Sequence, residues 1–269
     1  MSSRKIKCCF LLYGLPRSLR WTKRSILHNV IRPLSGAVDT SLRIAHFNAP
    51  DVIRNPRSLE HDIPAVPPDI SGLDLDMFWI ERQDDRAIEA KFETFKMHEL
   101  QAENSLQSHR NVLHAYRSLK CVWTMASMAG GHDSDIFVFL RPDLEYIDPW
   151  PAAELIDTIL GSKADLISPD WHQYGGLNDR MAIASRKGAE AYVSRWDLIE
   201  TLVAERVPRN SESLLLRTAE LAALQLSTFS SRGLRVRADG RTQREEFAFP
   251  PARRLVWKIR HKIGKLRST

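Results

Sequence analysis

The chain has 269 residues, a 43% hydrophobic share and a formal net charge of +6. That length and apolar content suit one α/β domain with excursions. No apolar run approaches the ~20 residues a bilayer span requires, and three cysteines cannot build a disulfide framework. The positive balance favours anionic partners such as nucleotide, phosphate or an acidic membrane surface. Nucleic acid is not expected, because no binding motif accompanies the charge.

Strand and helix signals alternate along the chain. Arg4, Lys5 and Lys7 precede the apolar stretch Cys8 to Tyr13, which is short for a signal-peptide core and reads as a buried first strand. Cys8 and Cys9 fall on opposite faces of that strand as reduced core residues, so a cytoplasmic setting is expected. Leu19 to Leu34 predicts a helix closed by Pro33 and Gly36, and Leu42 to Phe47 a second strand. Residues 48–75, rich in proline and aspartate, read as an irregular excursion before a short strand over Met77 to Ile80.

Glu103 to Met128 predicts a long helix stopped by Gly130-Gly131. Ile136 to Leu140 is a continuous apolar run, as expected of a strand buried on both faces. A helix over Ala152 to Leu160 follows, then a strand over Asp165 to Ser168. After the loop Pro169 to Arg180 come a strand over Met181 to Ser185 and a helix from Lys187. Ser211 reads as the N-cap of a helix whose Leu214, Leu215 and Leu221 face inward, and Leu226 to Ala238 as strand material. Residues 1–250 are taken as one domain and 251–269 as a basic amphipathic tail. Leu255, Ile259, Ile263 and Leu266 recur there at helical spacing, and seven cations fall between Arg253 and Arg267 without an acid. Such a tail suits the inner membrane face, a helix docked on the domain, or solvent.

This alternation argues for a mainly parallel central sheet with helices on both faces. Ligands then gather beyond the carboxyl ends of the strands, after Tyr13, Leu140 and Ser168. Gly14-Leu15-Pro16-Arg17-Ser18 occupies the place of a phosphate cradle, without a Walker ending. In Arg141-Pro142-Asp143-Leu144-Glu145, Asp143 and Glu145 would share a face of an extended chain and hold a divalent cation; the alternative is a structural ion pair of Arg141 with Asp143. Asp133-Ser134-Asp135 lies at the wrong end of the sheet and reads as a turn. In the stretch Tyr174-Gly175-Gly176-Leu177-Asn178-Asp179-Arg180, the glycines would let backbone approach a ligand, and Asp179 would act on a hydroxyl; the alternative is a glycine turn capped by Asn178 and Asp179.

Together with Phe139 to Leu144, Gly175 to Ile183, Ser211-Glu212 and Leu234 to Gly240, the Gly14 to Arg17 loop resembles glycosyltransferases of the GT-A nucleotide-diphospho-sugar class. The resemblance implies a GT-A-like fold that transfers a sugar from a nucleotide-diphospho-sugar to a hydroxyl of a glycan or lipid-linked acceptor, in surface polysaccharide synthesis. Gly14, Pro16, Arg17, Arg141 and Asp143 would bind the donor. Arg141-Pro142-Asp143 replaces the class's Asp-x-Asp, so either Asp143 and Glu145 hold Mn²⁺ or Mg²⁺, or Arg141 supplies the positive charge. Asp179 would be the base, by similarity to the Gly-Gly-Glu-Asp-Asp segment of galactosyltransferases. Trp171, Gly175, Gly176, Asn178, Arg180 and Glu212 would meet sugar or acceptor, although an acid near a helix N-terminus is stabilising in itself. Two rivals stay open: a non-catalytic nucleotide- or carbohydrate-binding protein on a degenerate transferase fold, and a sulfotransferase, whose small loop residues are replaced here by Leu19-Arg20-Trp21.

Overall fold

The computed structural model describes residues 5–55, 60–96, 103–242, 245 and 247. Seven strands form its central sheet in the order β5-β2-β1-β6-β9-β8-β10: β1 is Lys7–Gly14, β2 Thr40–Ala49, β5 Met77–Arg82, β6 Ile136–Leu140, β8 Leu166–Pro169, β9 Met181–Ala184 and β10 Leu226–Phe229. Only β9 runs antiparallel to its neighbours; the remaining pairs are parallel. This is the mainly parallel α/β architecture expected. Parallel strands need long crossovers; helices supply those from β1 to β2 and from β8 to β10, whereas β2 reaches β5 through the excursion over residues 50–76.

Alternation along β1 divides the core in two. Cys8, Phe10 and Leu12 pack beneath the first helical segment and α5 (Ala152–Leu160). Cys9, Leu11 and Tyr13 pack on the opposite face beneath α4 (Glu103–Met128), α6 (Arg186–Val193) and α8 (Ser211–Leu221). The period of two therefore places Cys8 and Cys9 on different faces, as the sequence predicts. Both are free thiols, and burial raises the affinity of each for its proton, Cys9 to about 12.

Several expectations need correction. The helix after β1 passes through Pro33: α1 (Leu19–Ser25) continues as a π-helical stretch, Ile26–Ile31, and then α2 (Arg32–Ser35). Pro33 lies inside this continuous run, and the Asn29 carbonyl four residues earlier, which a proline cannot bond, accepts the Trp150 N–H at 2.8 Å instead. Gly36 alone ends the segment, donating to Arg32 O at 2.9 Å. The excursion over residues 48–75 holds an antiparallel pair, β3 (Val52–Asn55) with β4 (Glu60–Pro64). Asn210, rather than Ser211, caps α8, and Leu221 at its end is exposed. The stretch from Leu226 divides into β10 and β11 (Gly233–Arg235), which pairs with β7 (Leu144–Tyr146). Among the described residues, no helix is long and apolar enough to cross a membrane. The basic tail lies outside them.

Candidate active site

Chain direction reverses its path through the sheet at β1, because β2 lies on one side of it and β6 on the other. A crevice opens at such a point beyond the carboxyl ends of the strands. Here it is a cavity of about 1390 Å³ whose wall includes Gly14, Arg17, Arg141, Asp179, Arg180 and Glu212. The end of β1, the loops after β1, β6 and β8, and the first turn of α8 thus bring six of the predicted residues to one space.

The floor begins with Gly14, whose φ of +103° is a conformation that side chains disfavour. Its N–H donates to Ser118 Oγ of α4 at 2.8 Å. Pro16 does not border the cavity; its carbonyl accepts the N–H of Leu19 and starts α1. Arg17 donates to Glu60 Oε2 at 2.7 Å and to Asp143 Oδ2 at 3.0 Å. Glu60 is fully buried and also accepts the Ala238 N–H at 2.9 Å. The β3–β4 pair therefore delivers the counter-ion that fixes the first loop.

Arg141 grips Asp143 with two bonds, Nε to Oδ1 at 2.9 Å and Nη2 to Oδ2 at 3.1 Å. Asp143 is fully buried behind the wall, and Glu145 is half-buried on β7 opposite Leu234; neither borders the cavity. Burial alone would raise the Asp143 pKa, but Arg141, Arg17 and Arg235 outweigh it and hold the carboxyl well below the usual range. The ion-pair alternative for Arg141 and Asp143 is thus the geometry found. Both carboxylate oxygens are occupied by guanidinium, so this donor set does not fit a divalent cation. Among the described residues, one trio could offer three ligand atoms to a metal: His46, Glu81 and Cys121, within 4.8 Å of one another. That trio is off the cavity wall, and Arg117 already holds both Glu81 oxygens.

Two further arginines complete the wall. Arg235 and Arg237 alternate with the buried Val236, so both reach the cavity while Val236 faces inward. Arg235 makes no side-chain hydrogen bond among the described residues, and its Nε is buried without a partner. Burial, then the nearby Arg141 and Arg180, lower its pKa to about 9. Sequence reasoning assigned neither residue a role. The available signal was the Leu-Arg-Val-Arg alternation over 234–237, whose two cations fall on one face.

Also on the wall, the Asp179 carboxylate accepts from Arg195 Nη1 at 3.4 Å, and its carbonyl accepts the hydroxyls of Tyr13 and Tyr192. Arg195 is fully buried, between the Tyr116 and Tyr192 rings. Glu212 lies in the first turn of α8, and burial, then Asp179, push its pKa up to about 7. Desolvation and the neighbouring Asp179 outweigh the backbone hydrogen bond that favours the ionised acid at this helix start. A carboxyl that exchanges its proton near neutrality is suited to acid–base work.

The glycine pair acts from behind. A Cβ on Gly176 would lie 1.9 Å from Glu212 O, and the Leu177 N–H donates to that same carbonyl at 3.0 Å. Gly176 thus seats α8 against the loop and does not border the cavity; Gly175 also lies off its wall. Asn178 is buried, donating to Trp171 O at 2.7 Å and accepting the Arg180 N–H at 3.0 Å. Trp171 is 1% exposed, with its indole N–H on Ser231 O, so it faces core rather than ligand. Arg180 lies 5.0 Å over its ring and donates to His172 Nδ1 at 2.8 Å. Trp171 and Asn178 therefore position Arg180.

Fold and site together define a mixed α/β protein with a cleft lined by both arginines and the carboxyl groups of Asp179 and Glu212. No family model matches the chain, and no curated protein matches it in sequence. A solved structure similar to it is that of a protein provisionally assigned as a nucleotide-diphospho-sugar transferase, from Desulfovibrio desulfuricans G20. The TM-score is 0.38 and the identity 9%, over 84% of this chain and 80% of that one.

Proposed function

We propose that this protein is a glycosyltransferase that moves a sugar from a nucleotide-diphospho-sugar to a hydroxyl of a glycan or lipid-linked acceptor. One juxtaposition carries the reading: a single cavity at the strand carboxyl ends joins an arginine cluster to a carboxyl with a pKa of about 7. Diphosphate needs the first, and a nucleophilic hydroxyl needs the second. In the reaction, the acceptor oxygen bonds to the anomeric carbon as that carbon's bond to the diphosphate breaks. The nucleoside diphosphate leaves with the electron pair, beside the arginines. The acceptor proton passes to Glu212, which takes the role that sequence similarity assigned to Asp179; Asp179, on Arg195, keeps a second negative charge near it. A cytoplasmic protein meeting the inner membrane face through residues 251–269 suits a lipid-linked acceptor.

The test is incubation of the full chain with UDP-, GDP- and CDP-sugars and oligosaccharide acceptors, read by mass spectrometry. The expected result is an acceptor heavier by one sugar, lost in Glu212→Gln. Donor binding without turnover would support the non-catalytic reading. Binding of adenosine 3′,5′-bisphosphate alone would point to a sulfotransferase.

A further inference from the structure

We infer that guanidinium groups, and not a divalent cation, neutralise the diphosphate in this cavity, with Arg235 and Arg237 as its principal ligands and Asp143 as an internal counter-ion. The inference rests on the donor reading above but concerns a separate property of the same site.

Asp143 stands where a metal-binding carboxylate would be expected, yet it is fully buried and off the cavity wall. Its Oδ1 accepts from Arg141, and its Oδ2 from both Arg141 and Arg17. Glu145, the other expected ligand, also lies off the wall, on β7. A cation approaching Asp143 would displace two arginines and then remain among them. The surroundings are already crowded with positive charge, because Arg17, Arg141, Arg180, Arg235 and Arg237 all line the same space.

Two of the carboxylates near this cluster, Glu60 and Glu245, already have partners. Glu60 serves Arg17 and the Ala238 N–H, with Arg237 NH1 at 3.8 Å. Glu245 lies 3.1 Å from His172 and 3.9 Å from Arg180. Arg235 is left with no hydrogen-bond acceptor among the described residues. A half-buried guanidinium whose Nε is shut from water without a partner, crowded by like charges, is an unfavourable arrangement until an anion fills it. Diphosphate fits this need, since planar guanidinium forks match phosphate oxygens in pairs. A strand also sets the spacing: residues two apart point the same way, so β11 and its continuation present two forks side by side.

The deciding experiment is calorimetric titration of the full chain with UDP, GDP, CDP, ADP and inorganic pyrophosphate, each in EDTA and in Mn²⁺ or Mg²⁺. Expected is a nucleoside diphosphate that binds equally well in EDTA and with metal. Arg235→Gln should weaken it about tenfold or more, and Arg235→Lys should recover part of the loss. Thermal melts of both variants check folding, and the Lys variant keeps the test informative if the Gln variant is unstable. Binding that requires metal, or that survives Arg235→Gln unchanged, overturns the inference and leaves the donor reading standing. Metal-free binding of pyrophosphate with no nucleotide preference keeps the arginine site and removes the donor reading. Absence of binding by every probe removes both.

Discussion

Asp143, buried behind the cavity wall, and Glu212, on that wall, are carboxyl groups whose surroundings drive them in opposite directions. Asp143 is enclosed by Arg141, Arg17 and Arg235, which overcome its burial and keep it ionised. Glu212 is also desolvated, but the charge that acts on it most strongly is Asp179, so its proton is held to about pH 7. Burial is common to both. The sign of the neighbouring charge decides whether a buried acid becomes a structural counter-ion or a proton acceptor.

The largest effect is expected at Asp143. Asp143→Ala leaves Arg17 and Arg141 without their shared carboxylate, and should destabilise the fold by about 3–5 kcal/mol at pH 7 in a urea titration. Because the folded-state pKa is depressed, that stabilisation is complete above the unfolded pKa of about 4 and fades as pH falls below it. The gap between wild type and variant should therefore narrow on acidification. Next in size is Gly176→Ala, which drives a methyl group into Glu212 O. A loss of about 2–3 kcal/mol is expected by the same measurement.

Glu212→Gln sharpens the contrast, since its sign is reversed. The folded-state pKa is raised, so Glu212 favours folding below its unfolded pKa of about 4.3 and that advantage is lost as pH rises through about 7. The variant should be more stable than wild type by about 2 kcal/mol at pH 8 and little changed at pH 4. Smallest is Trp171→Phe, which removes the indole donor to Ser231 O and should cost about 1 kcal/mol while loosening Arg180.

Much of the scaffold was legible because it depends on local pattern. The apolar run Ile136 to Leu140 is buried throughout, and α4 begins and ends where its helical periodicity does. What escaped depends on contacts between distant segments. Glu60 lies in a polar, proline-rich stretch that reads as irregular, yet its partner is Arg17, 43 residues away. Asp143 and Glu145 have the spacing of cation ligands, and only the fold reveals that Arg17 reaches Asp143 from the first loop. Glu212 resembles any acid in a helical first turn until Asp179 is placed beside it. Trp171 and the glycine pair were legible as unusual residues, but burial and close approach give them supporting roles behind the wall.

The most direct test of the account is the pH dependence of sugar transfer by wild type and Glu212→Gln, with a donor and acceptor found by the mass-spectrometric screen. A base with a pKa of about 7 predicts a wild-type rate that rises through neutrality, and a variant slower by about 10²–10⁴-fold with that rise abolished. A variant with the wild-type rate and pH profile would contradict it.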